Sequence, residues 1–290
     1  MAREYPYGNG VVKWVSTDWL EQHLGDEGLM ILDTQPDVHD YIQEHIPGAV
    51  YMNEKLLRVP KHGIPAMYIP AEAVHAIFGR VGLRPDKPVV VYSGKGAYSG
   101  QGDGLEQTMV AYSLARFGHE NVCVLDGGLD QWKLDGWPVI KEYPRVEESD
   151  FPVTVRSEYF IEHEPFKQIK DRSDVLLIDN RSAGYYVGNG IWTKHGHIPG
   201  AVNLPWTKVM DRRNPFLFKP DDKIRRIVQK LGASPDKTII VYCATGREST
   251  NLFLLFKWYL NYPNVLNYEG SFTEWCAFPE NPTVLGPDPR

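Results

Sequence analysis

The stretch VYCATGREST, residues 241–250, holds the residues best suited to chemistry in this chain. An apolar run ends in Cys243, a short loop with Gly246 and Arg247 follows, and an amphipathic segment opens at Glu248. A thiol that ends a strand and precedes a helix faces the free N–H groups of the loop and the helix start. Those partial positive charges favour thiolate over thiol and cradle an anion carried on the sulfur. Gly246 lets the backbone curl with positive φ, and Arg247 adds a full charge. The pattern predicts a nucleophilic Cys243 served by Ala244, Thr245, Gly246, Arg247 and Glu248. The last of these sets a carboxylate beside an anion site, which selects for a neutral or cationic portion of the substrate. Cys123, inside VCVLDG, and Cys276, after a Trp, read as packing residues. No CxxC pair and no zinc spacing occurs, so neither a disulfide framework nor a metal is expected.

The elements that must position Cys243 emerge from an internal repeat. MILDTQPDVHDYIQEHIPGAVYMN (30–53) is echoed by LLIDNRSAGYYVGNGIWTKHGHIPGAVNLP (176–205), RPDKPVVVYSG (84–94) by SPDKTIIVYCA (234–244), and NVCVLDGGLDQW (121–132) by NVLNYEGSFTEW (264–275). The echoes lie roughly 150 residues apart, too far for a solenoid, so a whole domain is duplicated. Within each copy, short β-branched runs (29–33, 89–93, 121–125; then 175–179, 239–243, 264–268) alternate with helical windows such as 71–81, 105–117 and 249–260. Nearly continuous hydrophobicity marks buried parallel strands, and the alternation predicts an α/β fold: two tandem domains, each an open, mostly parallel sheet flanked by helices. The domains are expected at 1–140 and 155–290, with the proline- and charge-rich linker at 141–154.

The duplication serves as a control. At the strand end where the second copy has CATGREST, the first has SGKGAYSGQGDG. Ser93 has no base beside it in sequence, and its glycine-rich loop reads as too slack to preorganise a site. His45 and His197 stand in HIPG in both copies, and Asp33 and Asp179 end the first strand of each; features shared with the inactive copy read as structural. His195 and His197, two apart with no third candidate, make a poor metal pair.

Composition narrows the function classes. The 290 residues are 42% hydrophobic and 23% charged with a net charge of −6, which fits a globular protein and offers no basic face for nucleic acid. The N-terminus lacks an apolar signal region and no long apolar run occurs, so no membrane association and a cytoplasmic location are expected.

On these residues the sequence resembles the rhodanese superfamily in its tandem-domain form. YIQEHIPGAVYM (41–52) fits the family's N-terminal signature and VLNYEGSFTEW (265–275) its C-terminal one, and the likeness runs from about residue 11 to 285. The resemblance places the active cysteine at Cys243, in a six-residue loop of the second domain. It implies a two-step transfer: thiosulfate or a related donor leaves its outer sulfur on Cys243 as a persulfide, and cyanide or another thiol takes it. No cofactor is implied, since the cysteine itself carries the sulfur. Partners would be a small anionic sulfur donor, a thiol or cyanide acceptor, and a thioredoxin-like or other sulfur-acceptor protein.

The substrate pocket departs from the family pattern. RSAGYYVG (181–188) matches an arginine-bearing segment that grips the donor, but Tyr185 stands where the second arginine would be. Arg181 matches the first arginine, whose role is more often structural, with substrate contact as the alternative. Thiosulfate enzymes carry Arg and Lys after the cysteine, whereas this loop has Ala244 and Thr245; the Gly-Ser-Gly-Val loop of 3-mercaptopyruvate enzymes is not matched either. Three readings follow: thiosulfate sulfurtransferase, 3-mercaptopyruvate sulfurtransferase, and a persulfide-relay or redox-sensing protein without strong thiosulfate activity. The related dual-specificity phosphatases need Cys-x5-Arg, and that position is Ser249, so phosphatase chemistry is not expected.

Overall fold

The computed structural model describes residues 3–289. By internal contacts the chain divides into two compact units. The first is built from the residues up to Arg58 together with Ile69–Arg156 and Met210–Phe218; the second comprises Val59–Tyr68, Ser157–Val209 and the chain from Lys219 onward.

In the first unit, strands β1 (Val12–Val15), β2 (Met30–Asp33), β3 (Val50–Tyr51), β6 (Val89–Tyr92) and β7 (Val122–Leu125) form one sheet in the order β1-β7-β6-β2-β3, with every pairing parallel. The central strands are buried along their whole length, as VVVY and VCVL require when both faces are covered. The second unit repeats the plan with β8 (Val175–Asp179), β9 (Val202–Asn203), β10 (Thr238–Tyr242) and β11 (Val265–Asn267), in the order β11-β10-β8-β9. Where the first sheet has β1, the second has only a single parallel bridge from Phe160 to Asn267. The remaining two strands, β4 (Arg58–Lys61) and β5 (Ile64–Tyr68), pair with each other as a hairpin.

Helices flank both sheets, among them Ala71–Arg80, Leu105–Arg116, Asp221–Lys230 and Glu248–Leu254. The window expected at 249–260 opens one residue earlier and ends as an α-helix at Leu254, continuing as a wider π turn over Leu255–Tyr259. Each unit has its own core: Val15, Ile31, Val90, Leu125 and Trp132 in the first, Phe166, Leu177, Ile240, Phe272 and Trp275 in the second. Among the described residues, no helix is long and apolar enough to cross a membrane.

The duplicated histidines act alike. His45 Nδ1 lies 2.7 Å from the Tyr41 carbonyl and its Nε2 3.1 Å from that of Glu142; His197 meets the carbonyls of Tyr186 and Asp288 at 2.9 and 3.1 Å. Each ring stacks on the tyrosine that opens its segment, Tyr41 or Tyr186. These contacts tie distant backbone together, as a shared structural role requires.

Candidate active site

Cys243 directly follows Tyr242, the last residue of the central strand β10, and is fully buried. That is the carboxyl end of a strand in an open parallel sheet, where ligands gather. The loop Ala244–Arg247 then enters the helix Glu248–Leu254. Gly246 has φ +82, and a Cβ on it would drive into the carbonyl oxygen of Glu269, so only glycine fits without a shift. This curl turns the Gly246 N–H onto Cys243 Sγ at 3.1 Å.

A second segment clamps the loop. Ser271 Oγ accepts the Cys243 N–H at 3.1 Å, donates to the Tyr268 carbonyl at 2.9 Å, and lies 3.9 Å from Sγ. The Phe272 and Thr273 amides donate to the carbonyls of Cys243 and Ala244, and the Thr273 hydroxyl reaches Ala244 O at 2.8 Å. Trp192 completes the chain by donating its Nε1–H to Thr273 Oγ1 at 2.9 Å. Ser271 is held at φ +54, a left-handed conformation costly for a residue with a Cβ; its counterpart in the first copy is Gly128, at φ +60.

The electrostatics correct one expectation. The loop's N–H groups were expected to draw the thiol towards thiolate; instead burial, and then the Glu248 carboxylate, push the Cys243 thiol up. The N–H groups of Ser249 and Thr245 and the Ser249 hydroxyl pull the other way without prevailing. Complete desolvation outweighs a few amide dipoles, and the neighbouring carboxylate adds to it. Glu248 is itself pushed up to about 7, chiefly by burial.

Arg181 is fully buried behind the loop. Its Nε and Nη2 bind both oxygens of Asp179, at 3.0 and 2.6 Å for the shorter contacts, and Nη2 also reaches the Gly196 carbonyl at 2.7 Å. The guanidinium carbon lies over the Phe272 ring, 3.8 Å from its centroid, and 5.2 Å from that of Trp192. Its charge acts on Cys243, and its Nη1 has no hydrogen-bond partner. Tyr185, on the short helix Ala183–Val187, packs edge-on against Trp192 at 5.3 Å, and Trp192 is also the ring 5.2 Å from the Arg181 guanidinium. The structure therefore brings Cys243, Ala244, Thr245, Gly246, Arg247 and Glu248 together on one loop and helix start. Arg181 lies within electrostatic reach of the thiol, and Tyr185, half-buried, is joined to this group through its contact with Trp192.

Ser271, Phe272 and Trp192 escaped the sequence reading. Ser271 had a signal: it is the copy-two residue facing a glycine, in the motif GS where copy one has GG. Trp192 lies in the stretch between Asp179 and His197, longer than that between Asp33 and His45, so the repeat offers no counterpart to compare.

The first copy's loop is also not slack, contrary to expectation. Buried Asp40 accepts the amides of Tyr98 and Ser99 at 2.8 Å each and the Ser99 hydroxyl at 2.6 Å; Asp130 accepts the Lys95 amide at 2.8 Å. Glu106 accepts from Ser93 Oγ at 3.3 Å and from the Gly104 amide at 3.0 Å. Carboxylates brought from other elements staple it. Among the described residues, no group of three His, Cys, Asp or Glu is placed to hold a metal ion.

Comparison with known proteins gives the family. The rhodanese-like domain model matches twice, over residues 16–135 and 162–278. The chain is 31% identical over 269 residues to the thiosulfate sulfurtransferase of Pseudomonas aeruginosa, covering 92% of this chain and 94% of that one. It is 30% identical over 280 residues to a sulfur carrier protein, TtuD, of Thermus thermophilus, covering 90% and 92%. Among solved structures it superposes on the 3-mercaptopyruvate sulfotransferase SseA of Escherichia coli with a TM-score of 0.78 at 28% identity, covering 89% and 98%. The chain belongs to the rhodanese superfamily of sulfurtransferases, as a member with two tandem rhodanese-like domains.

Proposed function

We propose that Cys243 is the sulfur-carrying residue and that the protein passes sulfane sulfur to a thiol acceptor. The donor in this reading carries less anionic charge than thiosulfate: 3-mercaptopyruvate or an organic persulfide. The carrying observation is the Gly246 N–H held on Cys243 Sγ at 3.1 Å inside a loop clamped by Ser271 and Thr273. A sulfur bound there sits against fixed dipoles that need no reorganisation as charge moves on and off it. The donor preference rests on Glu248, whose charge raises the Cys243 thiol, and on two uncharged residues, Ala244 and Thr245, directly after the cysteine. A dianion would be repelled by that carboxylate in a largely desolvated site. Sulfur transfer through one enzyme thiol implies ping-pong kinetics.

The test is direct. Wild type and Cys243→Ser are incubated separately with thiosulfate, 3-mercaptopyruvate and an organic persulfide, and the protein mass is read. Gain of one sulfur atom by the wild type alone, faster from the last two donors, is the expected result. No gain from any donor removes the sulfur-transfer reading; fastest gain from thiosulfate removes the donor preference. The name of the Pseudomonas relative favours that second outcome, and the sulfur-carrier name of the Thermus relative favours the relay.

A further inference from the structure

Glu248 is placed at odds with stability. It opens the helix Glu248–Leu254, a position at which a carboxylate ordinarily points to solvent, yet its Oε2 is buried without a hydrogen-bond partner. Leaving such an oxygen unmet carries a desolvation cost that a solvent-facing rotamer or an apolar side chain would avoid. The groups facing it come from three elements. Asp179, at the end of β8, repels it; Arg181, just beyond β8, and Arg247, in the loop, attract it; and the Ala244 N–H favours its ionised form. The balance leaves the carboxyl at about 7, with burial the largest cause, so near neutral pH it is present both as acid and as base. Cys243 and Glu248 bracket the loop 244–247, whose Gly246 N–H lies 3.1 Å from Sγ, and the Glu248 charge in turn raises the thiol.

We propose that Glu248 is the proton carrier for the sulfur on Cys243, acting in the step that hands the sulfur to a thiol. This rests on the sulfur-transfer reading above. A persulfide anion is a poor electrophile because its outer sulfur already bears the charge. The Glu248 acid gives its proton to that outer sulfur, turning Cys243–S–S⁻ into Cys243–S–SH. The acceptor thiol loses its proton to the Glu248 carboxylate, and the resulting thiolate attacks the outer sulfur. A new sulfur–sulfur bond forms to the acceptor, the bond to Cys243 Sγ breaks, and its electron pair stays on Sγ. The net change is Cys243–S–S⁻ plus R–SH giving Cys243–S⁻ plus R–S–SH, with the acid form of Glu248 restored and no outside oxidant or reductant.

The experiment separates loading from discharge. Wild type, Glu248→Gln and Glu248→Asp are loaded with an organic persulfide, loading is verified by mass, and single-turnover discharge to one small thiol is followed from pH 5.5 to 9. Rates are corrected for the acceptor's own thiolate fraction. The wild type should discharge with a rate that falls about tenfold per pH unit above roughly 7, as the acid form is lost. In Glu248→Gln, which hydrogen-bonds but gives up no proton, that limb should vanish and the rate at pH 6.5 should drop on the order of 10²-fold. Glu248→Asp should keep the limb at a lower rate, which a merely structural role would not do. A loaded Glu248→Gln that discharges with the wild-type pH profile overturns the proton-carrier role while leaving sulfur transfer intact. A wild type that never loads overturns the reading beneath it.

Discussion

Replacing Arg181 by Gln should turn the second unit's buried carboxylate into a copy of the first unit's, and the cost can be read from that copy. Asp33 and Asp179 occupy the same place at the end of the first strand of the repeat, in register with Tyr92 and Tyr242. Each is fully buried, accepts the amide two residues on, and accepts its tyrosine's hydroxyl. The third ligand differs: Gln35 Nε2 reaches Asp33 at 2.9 Å, whereas Asp179 has the Arg181 guanidinium. With an amide in place of the guanidinium, burial pushes the Asp33 carboxyl from its ordinary 3.8 to about 6. At about 1.36 kcal/mol per unit, ionising such a group costs about 3 kcal/mol. That matches the lower end of the 3–5 kcal/mol typical of breaking a buried ion pair.

Arg181→Gln should therefore lose about 3 kcal/mol at pH 8, plus about 1 kcal/mol for the cation–π contact of the guanidinium with Phe272. The first part should be pH-dependent. An acid whose folded-state pKa is raised binds its proton more tightly when folded, so the penalty is complete above about 6 and recedes as pH falls towards 4. The cation–π part should not move with pH. Urea unfolding of wild type and variant at pH 8, 6 and 5 tests this, because the difference between the two proteins cancels Asp33 and every other unaltered group. An equal penalty at pH 8 and pH 5 would refute the argument, since it would mean that the carboxylate was never stabilised by the cation.

Two other substitutions probe the loop. Gly246→Ala places a Cβ against the Glu269 carbonyl at φ +82 and should cost about 1–3 kcal/mol in thermal unfolding, with sulfur loading slowed at least tenfold as the N–H leaves Sγ; unchanged loading would show that this N–H does not serve the sulfur. Ser271→Ala leaves the buried Cys243 N–H without its acceptor and should cost about 1–3 kcal/mol by urea unfolding, whereas Ser271→Gly should lose less because glycine relieves the left-handed φ of +54; the reverse order would remove the strain argument.

The parallel strands were legible because runs such as VVVY and TIIVY are apolar at consecutive positions, which only burial on both faces explains. Cys243 was legible because the duplication sets VYC beside VYS. The hairpin Arg58–Tyr68 was not, since Pro60 and Pro65 interrupt its runs and proline argues against a strand unless that strand lies at an edge. The membership of 59–68 and 210–218 in their units depends on contacts between distant parts of the chain, which no local period records. The thiol's electrostatics were misjudged for a similar reason. The dipoles that favour thiolate are local and visible in CATGRE, while the burial that opposes them is a property of the packed helix and sheet. Ser93 gives the mirror case: its glycine-rich loop reads as loose, yet Asp40, more than fifty residues earlier, pins it.

The two copies satisfy the same strand-end backbone in different ways, and the sulfur carrier proposed above lies on only one of them. Backbone N–H groups that curl around a strand end must find acceptors, because an unmet buried donor is costly. In the first copy they find carboxylates: Asp40 takes the amides of Tyr98 and Ser99, Asp130 that of Lys95, and Glu106 that of Gly104 together with the Ser93 hydroxyl. Those donors are already held, and an incoming anion would have to displace the groups that hold them. In the second copy the Gly246 N–H turns to Cys243 Sγ, and a carboxylate that does approach, Glu248, keeps one oxygen unbonded. Donors satisfied by a polarisable sulfur can follow that sulfur's charge as it gains and loses an outer atom, whereas donors locked to fixed carboxylates cannot. With Ser93 in place of the cysteine as well, the same curl of backbone is a staple in the first copy and the proposed sulfur site in the second.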